Sequence, residues 1–195
     1  LVATEVDARG LPCPQPVIKT KKALESIPSG IVIIKVDNIV ARDNVLKYAK
    51  SMAFEASVEQ NEHDYSISII KADPMSTEEV YFDTHDMVVF IDSPFLGSGS
   101  DELGALLMKN FLFALSETSP LPQKIILMNG GVHLAAEGSE CLPYLCKMAD
   151  SGVSIESCGI CLEYYHLKDK LAIGTITNMY SVVESLCAAK KILKI

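Results

Sequence analysis

Asp7-Ala8-Arg9-Gly10-Leu11-Pro12-Cys13-Pro14-Gln15-Pro16 is the stretch from which the rest of the chain can be placed. Before it, Val2, Thr4 and Val6 alternate with Ala3 and Glu5, the pattern of a half-buried strand. After it, Val17, Thr20, Leu24 and Ile27 recur at helical spacing, with Lys19, Lys21 and Lys22 around the other face. The ten residues therefore turn a strand into a helix. Gly10 allows a tight turn out of the strand. Proline suits the first helical position, where its missing N–H goes unused and its φ is preset, so Pro14 marks the helix start. Cys13 then falls at or next to the N-cap, facing free N–H groups and the positive end of the helix dipole. Such a field favours thiolate over thiol. The competing reading is a proline-rich turn with an incidental cysteine.

Working outward, Pro28-Ser29-Gly30 ends the helix, and Ile31-Val32-Ile33-Ile34-Lys35-Val36 is the near-continuous apolar run of a central strand. Val45, Leu46, Ala49, Met52 and Ala53 predict a second helix. Ala56-Ser57-Val58 predicts a short strand, Asn61-Glu62-His63-Asp64 a turn, and Tyr65, Ile67 and Ile69, alternating with serines, a last strand. The order β-α-β-α-β-β over residues 1–72 predicts one sheet with both helices on one side, a two-layer sandwich. Residues 73–85 are polar, open with Asp73-Pro74 and read as an interdomain linker.

From residue 86 to 195 the pattern changes. Met87–Ile91, Ile125–Met128, Val153–Ser157, Leu171–Ile176 and Lys191–Ile195 read as strands. Helices are expected over about 101–117, after Ser139 with Leu142, Leu145 and Ala149 inward, and over about 178–189. Strands alternating with helices predict an open parallel α/β sheet.

Asp7-Ala8-Arg9-Gly10-Leu11-x-Cys13-Pro14-x-Pro16-Val17-Ile18 resembles the signature of the TusA/SirA family of small sulfur carriers, over roughly residues 4–72. The resemblance implies that Cys13 accepts a persulfide sulfur and passes it on, with Arg9, Gly10, Pro14 and Pro16 supporting it. Gly97-x-Gly99-x-Asp101-Glu102-Leu103-Gly104, Asn129-Gly130-Gly131-Val132, Cys158-Gly159-x-Cys161-Leu162-Glu163-Tyr164-Tyr165 and Thr175-x-Thr177-Asn178-Met179-Tyr180 resemble the DsrE/DsrF-like fold. In this order the two halves are similar to the YedF-type, sulfurtransferase-like proteins linked to selenium metabolism. That resemblance implies sulfur or selenium trafficking by a carrier rather than a turnover enzyme. It implies a persulfide donor such as a cysteine desulfurase, an acceptor thiol protein, no metal or organic cofactor, and a homo-oligomer built by the second half.

Composition narrows the alternatives. The chain has 195 residues, 49% of them hydrophobic, enough for two packed domains. No apolar run approaches the ~20 residues of a membrane helix. No basic region followed by an apolar stretch opens the chain, so no secretory signal is expected, although a start at Leu1 fits a trimmed N-terminus. Net charge is −8, with 10 acidic against 9 basic residues in 1–73 and 15 against 8 in 74–195. This argues against direct nucleic-acid binding, where phosphate contacts dominate. Six cysteines without a signal predict reduced thiols in the cytoplasm rather than a disulfide framework.

In a parallel α/β sheet, ligands bind where strands end. The loops 97–100, 129–133 and 158–161 are expected along one such edge, which makes Cys158 a candidate acceptor thiol. A small buried thiol beside Gly159 is the equal alternative. Transfer needs sulfur-to-sulfur contact, so an acceptor Cys158 would have to be reachable from solvent. Cys158 and Cys161 also have redox spacing, which keeps a thiol sensor open as an alternative function, beside a non-catalytic binding module. One such pair is weak evidence for zinc, which needs about four ligands. Cys141 and Cys146 would not converge on it, and Cys146 and Cys187 read as core. Gly97-Ser98-Gly99-Ser100 reads as a helix-capping loop more readily than as a phosphate cradle, since it lacks the remaining residues of either nucleotide fingerprint. His133 is a candidate proton donor or acceptor near Cys158. His63, His85 and His166 have no companion that suggests a site.

Overall fold

The computed structural model describes residues 3–61, 64–72 and 87–195. The chain divides into two compact units, Leu1–Val80 and Tyr81–Ile195, which are taken separately. Val2, His63, His85, the middle of the turn expected at 61–64 and the linker expected at 73–85 lie outside the described residues.

The first unit runs β1 (Ala3–Asp7), α1 (Gln15–Glu25), β2 (Gly30–Val36), α2 (Ile39–Ser51), β3 (Glu55–Gln60), β4 (Tyr65–Lys71). The sheet order is β1-β2-β4-β3; β1 and β2 pair in parallel and the other pairs are antiparallel. The apolar run of β2 does occupy the centre. Its Val32, Ile34 and Val36 alternate into the core, with Ile34 opposite Ile67 and Val32 opposite Ile69 on β4. Ala23 and Leu24 of α1 and Ala41, Val45 and Ala49 of α2 close over that face in a single cluster. This is the expected two-layer sandwich. Lys71, at the end of β4, donates to the carbonyls of Leu24 (2.7 Å) and Ile27 (2.8 Å), satisfying acceptors that the end of α1 leaves open.

Two boundaries differ from expectation. Met52 and Ala53 fall outside α2: Met52 is exposed, and Ala53 takes φ 57° as the chain reverses. The strand expected at 56–58 extends over β3 from Glu55 to Gln60, every residue of it exposed. Backbone pairing with β4 makes this strand, and no buried face marks it in the sequence.

The second unit runs β5 (Met87–Ile91), α3 (Asp101–Ser116), β6 (Lys124–Leu127), α4 (Leu142–Asp150), β7 (Ser154–Cys158), α5 (Gly159–Tyr164), β8 (Thr175–Thr177), α6 (Met179–Ala188), β9 (Lys191–Lys194), with a 3-10 turn over Asn129–Ala135 after β6. All five strands pair in parallel, in the order β8-β7-β6-β5-β9. One face buries Val89, Ile91, Ile125 and Leu127 against Met108 and Leu112 of α3, Leu145 and Met148 of α4 and Leu162 of α5. The other face packs Val88 and Ile126 on Val182 of α6. The parallel α/β sheet is as expected.

The strand expected over Leu171–Ile176 shrinks to Thr175–Thr177. Gly174 explains this: its φ is 86°, and a Cβ there would collide with the Ile155 backbone, so the chain kinks onto β7 before pairing. Two cysteines expected in the core are not there. Cys146 is half-buried, and Cys141, at the start of α4, takes the core place at 5% exposure. Cys187 is exposed, because α6 fully buries only Val182 and turns its other side to solvent.

Candidate functional site

The β1–α1 turn is held from three sides. Arg9 pairs with Asp7 (2.8 Å) and with Asp64 (2.8 Å), tying the turn to the start of β4. The Arg9 guanidinium and its backbone N–H hold the Asp7 carboxyl below the usual carboxylate range, and the two carboxylates raise Arg9 in turn. Gly10, at φ 69°, donates its N–H to Asp37 Oδ2 at 2.6 Å. That bond, with the Asn38 amide, also lowers the Asp37 carboxyl. Lys19 donates to the Asp7 carbonyl at 3.2 Å.

This fixed turn delivers Cys13 to the surface. Helix α1 begins at Gln15, one residue later than expected, with Pro14 at the N-cap and Pro16 buried in the first turn. Cys13 is therefore next to the N-cap; its peptide bond to Pro14 is cis. Its side chain is exposed and borders a small cavity of about 120 Å³. Leu11, Pro12, Pro14, Pro16 and Val17 form one wall; Asn38, Val40, Ala41 and Asn44, from the start of α2, form the other. None of these residues carries a charge. Asn38 caps α2, its Oδ1 accepting from the Ala41 N–H at 2.8 Å. Asn44 points its amide at the sulfur, with Nδ2 3.7 Å from Cys13 Sγ.

Sulfur at this position meets the N-terminal ends of both helices of the unit, one from each wall. Those ends turn the positive pole of the peptide dipoles toward the cavity, a setting suited to an anionic sulfur. The free N–H groups expected at the start of α1 are not there: Gln15 donates to the Pro12 carbonyl, Val17 to that of Pro14, and Pro14 and Pro16 have no N–H. The sequence pointed only to α1. Asp37, Asn38, Val40 and Asn44 were missed, since nothing local ties them to Cys13; the packing of α2 beside α1 brings them there.

In the second unit, a broad cleft of about 820 Å³ opens where β5 and β6 end. Asp92, Ser93, Pro94 and Phe95 line one side and Asn129, Gly130, His133 and Tyr165 the other. Gly130 is required there, as a Cβ would sit 2.8 Å from the Pro94 ring. Of the three expected loops only 129–133 lines the cleft; it is met by 92–95, directly after β5, while 97–100 and 158–161 are not among the lining residues. Gly97-Ser98-Gly99-Ser100 serves as a cap: Ser100 is the N-cap of α3 and its Oγ accepts from the Leu103 N–H.

Cys158 does not face this cleft openly. It ends β7 at 3% exposure, which does not meet the accessibility an acceptor needs. Cys161, one turn further on, is half-buried and accepts the Asn129 N–H at 3.1 Å. Burial, and then the neighbouring Cys158 thiol, push the Cys161 thiol up. His133 is exposed and packs edge-on against the Tyr165 ring, 4.7 Å between centroids; Tyr165 in turn donates to Asn129 Oδ1 at 2.9 Å. His166 sits at φ 56° in a turn. Among the described residues, no group of three or more His, Cys, Asp or Glu side chains is arranged to hold a metal ion. No described helix is long and apolar enough to cross a membrane.

Comparison with known proteins places residues 4–71 in a match to the family described as Sulfurtransferase TusA. Among solved structures, a SirA-like protein from Desulfitobacterium hafniense is 33% identical, with 37% of this chain and all of that one covered, at a TM-score of 0.34. The ychN protein from E. coli is 14% identical, covering 56% of this chain and 99% of that one (TM-score 0.45). A conserved protein of unknown function from Bacteroides thetaiotaomicron is 19% identical, covering 58% and 98% (TM-score 0.44). No curated protein matches the chain.

Proposed function

Since the chain belongs, through its residues 4–71, to the TusA sulfurtransferase family, we propose that it carries sulfur as a persulfide on Cys13. Sulfur trafficking in general follows from the family; the residue and the chemistry are our reading. The observation that carries it is the exposed Cys13 thiol beside a cavity walled by the N-terminal ends of α1 and α2.

In the loading step the Cys13 thiolate attacks the outer sulfur of a donor persulfide, R–S–SH. The S–S bond of the donor breaks, R–S⁻ leaves, and Cys13–S–SH forms. In the delivery step an acceptor thiolate attacks that outer sulfur and Cys13 leaves as thiolate. Neither step needs an external electron carrier. A selenium atom in the outer position would follow the same displacement, which is how the reading extends to selenium. A cysteine desulfurase is the proposed donor and a thiol protein the proposed acceptor. Within the chain, Cys158 is covered and would have to become exposed before it could accept sulfur, and of the Cys158 and Cys161 pair the half-buried Cys161 is the more accessible. The second unit also leaves Leu103 and Leu106 of α3, Ile160 and Tyr164 of α5, and Tyr180 and Val183 of α6 exposed, and we propose that it self-associates through such surfaces.

A second reading has one observation behind it. The Cys158 thiol lies close enough to that of Cys161 to help raise it, and with the Cys-x-x-Cys spacing this favours a thiol redox pair, closed by an external oxidant, as the alternative.

The test is intact-protein mass spectrometry after incubation with a cysteine desulfurase and cysteine. The expected result is a gain of one sulfur mass, removable by reductant and absent in Cys13→Ser. Equal loading of the variant and the parent would overturn the assignment of Cys13.

A further inference from the structure

We infer that Asn44 is a catalytic residue of the Cys13 site, donating a hydrogen bond to the Cys13 sulfur when that sulfur attacks and when it leaves. The inference rests on the carrier reading given above, and adds a group that the Cys13 motif does not contain.

The cavity beside Cys13 is bordered by two carboxamides and no charged side chain. Asn38 is already committed: its Oδ1 caps the Ala41 N–H, and its Nδ2 donates to Asp37 Oδ1 at 3.0 Å. Asn44 is the other, and its Nδ2 lies 3.7 Å from Cys13 Sγ, within reach of a bond to a large, soft acceptor. The lysine nearest in sequence, Lys19, spends its ammonium on the Asp7 carbonyl. Val40, Ala41 and Asn44 are spaced to share one helical face, and all three border the cavity. Val45, beside Asn44 in sequence, is fully buried in the core. The rotation of α2 is therefore fixed by packing, and Asn44 is held toward the sulfur.

Negative charge sits on Cys13 Sγ at two points of the proposed cycle, before it attacks the donor and as it departs from the outer sulfur. An N–H donor bonds an anionic sulfur more strongly than a neutral one. In loading the bond favours the thiolate over the thiol, a gain offset in part by the weaker nucleophilicity of a stabilised thiolate; in delivery it stabilises the charge that develops on Sγ as Cys13 departs. The terminal sulfur has room in the cavity, whose apolar walls suit a polarisable atom.

Three variants test this: Asn44→Ala removes the donor, Asn44→Asp keeps the shape and replaces the donor with a like charge, and Asn44→Gln keeps a carboxamide. Two rates are read on the full-length protein. The first is sulfur loading from a desulfurase and then its transfer to dithiothreitol, by intact mass. The second is alkylation of unloaded Cys13 by iodoacetamide, taken as a ratio to alkylation of the exposed Cys187 in the same sample. Asn44→Ala is expected to slow loading, transfer and the alkylation ratio each by about three- to tenfold, the size of a typical net hydrogen bond. Asn44→Asp should slow them further, and Asn44→Gln should recover part of the rate. Asn44→Asp is isosteric, so it reports even where Asn44→Ala fails to fold. A parent that loads normally beside variants that load, transfer and alkylate at the parent rate would overturn the role of Asn44. A parent that never loads on Cys13 would overturn the carrier reading instead, while the alkylation ratio would still decide whether Asn44 acts on the sulfur.

Discussion

The backbone N–H of Gly10 donates to Asp37 Oδ2 at 2.6 Å. The bond joins the turn before α1 to the turn before α2, and these are the two turns that deliver the walls of the Cys13 cavity. Its dependence on pH has a definite sign. The Gly10 N–H, and next the Asn38 amide, hold the folded Asp37 carboxyl below its ordinary value of 3.8. A depressed carboxyl contributes stability that is complete above the unfolded value and is lost as pH falls through the folded one. The Gly10 amide resonance is therefore expected to stay constant from neutral pH down to about pH 4 and to move only below that. Asp37→Asn should abolish the movement. A Gly10 shift centred above pH 5 would contradict the bond.

The six cysteines should separate by accessibility. In the native protein Cys13 and Cys187 are expected to be alkylated first, Cys146 and Cys161 later, and Cys141 and Cys158 only on unfolding. Since burial raises Cys161, its alkylation should require a higher pH than that of free cysteine, about 8.5. Peptide mapping over time and pH checks both orders. Early labelling of Cys158 would place it at the surface.

Core substitutions should divide by strand. Ile34→Ala, on fully buried β2, is expected to cost the first unit about 2–5 kcal/mol. Val58→Ala, on exposed β3, should stay within about 0.5 kcal/mol. Urea unfolding followed by probes specific to that unit measures the difference.

Gly131→Ala tests the loop that shapes the second cleft. A Cβ there would meet the Ile91 carbonyl and lie 3.5 Å from the Ser93 nitrogen, backbone that cannot swing aside. The expected cost is about 1–3 kcal/mol in the unfolding of the second unit. No loss of stability would mean that the loop has room the structure does not show.

The exposed apolar residues of α3, α5 and α6 predict self-association. Light scattering on the full chain should give a mass above that of one 21.2 kDa chain, and Tyr180→Asp with Val183→Asp should lower it if α6 takes part. A monomeric mass in the parent would remove the proposal.

What the sequence disclosed follows from how local each feature is. The β2 run and the serine alternation in β4 announce themselves, because burial on one or both faces leaves a periodic trace. So does the turn at Cys13, where Gly10 and three prolines each demand a special backbone. Cys187 misled: Val183, Leu186 and Cys187 have the spacing of an inward stripe, but α6 covers its side of the sheet with little more than Val182. Leu171–Ile176 misled because an apolar run says nothing of the kink that Gly174 introduces. Asn44 carried no signal at all. A carboxamide in the middle of a helix is ordinary, and its place opposite a thiol 31 residues away is decided by how two helices settle on one sheet.

Lys71 gives the first unit a natural seam. Its ammonium fastens the final strand to the carbonyls at the end of the first helix, so one residue closes the unit as a module. An excised version could stop after Lys71 and keep that fastening. Cut one residue earlier, it would lose the latch on α1, the helix whose opposite end adjoins Cys13. For a unit reused as a stand-alone part or joined to another protein, that single side chain marks where the scissors can go.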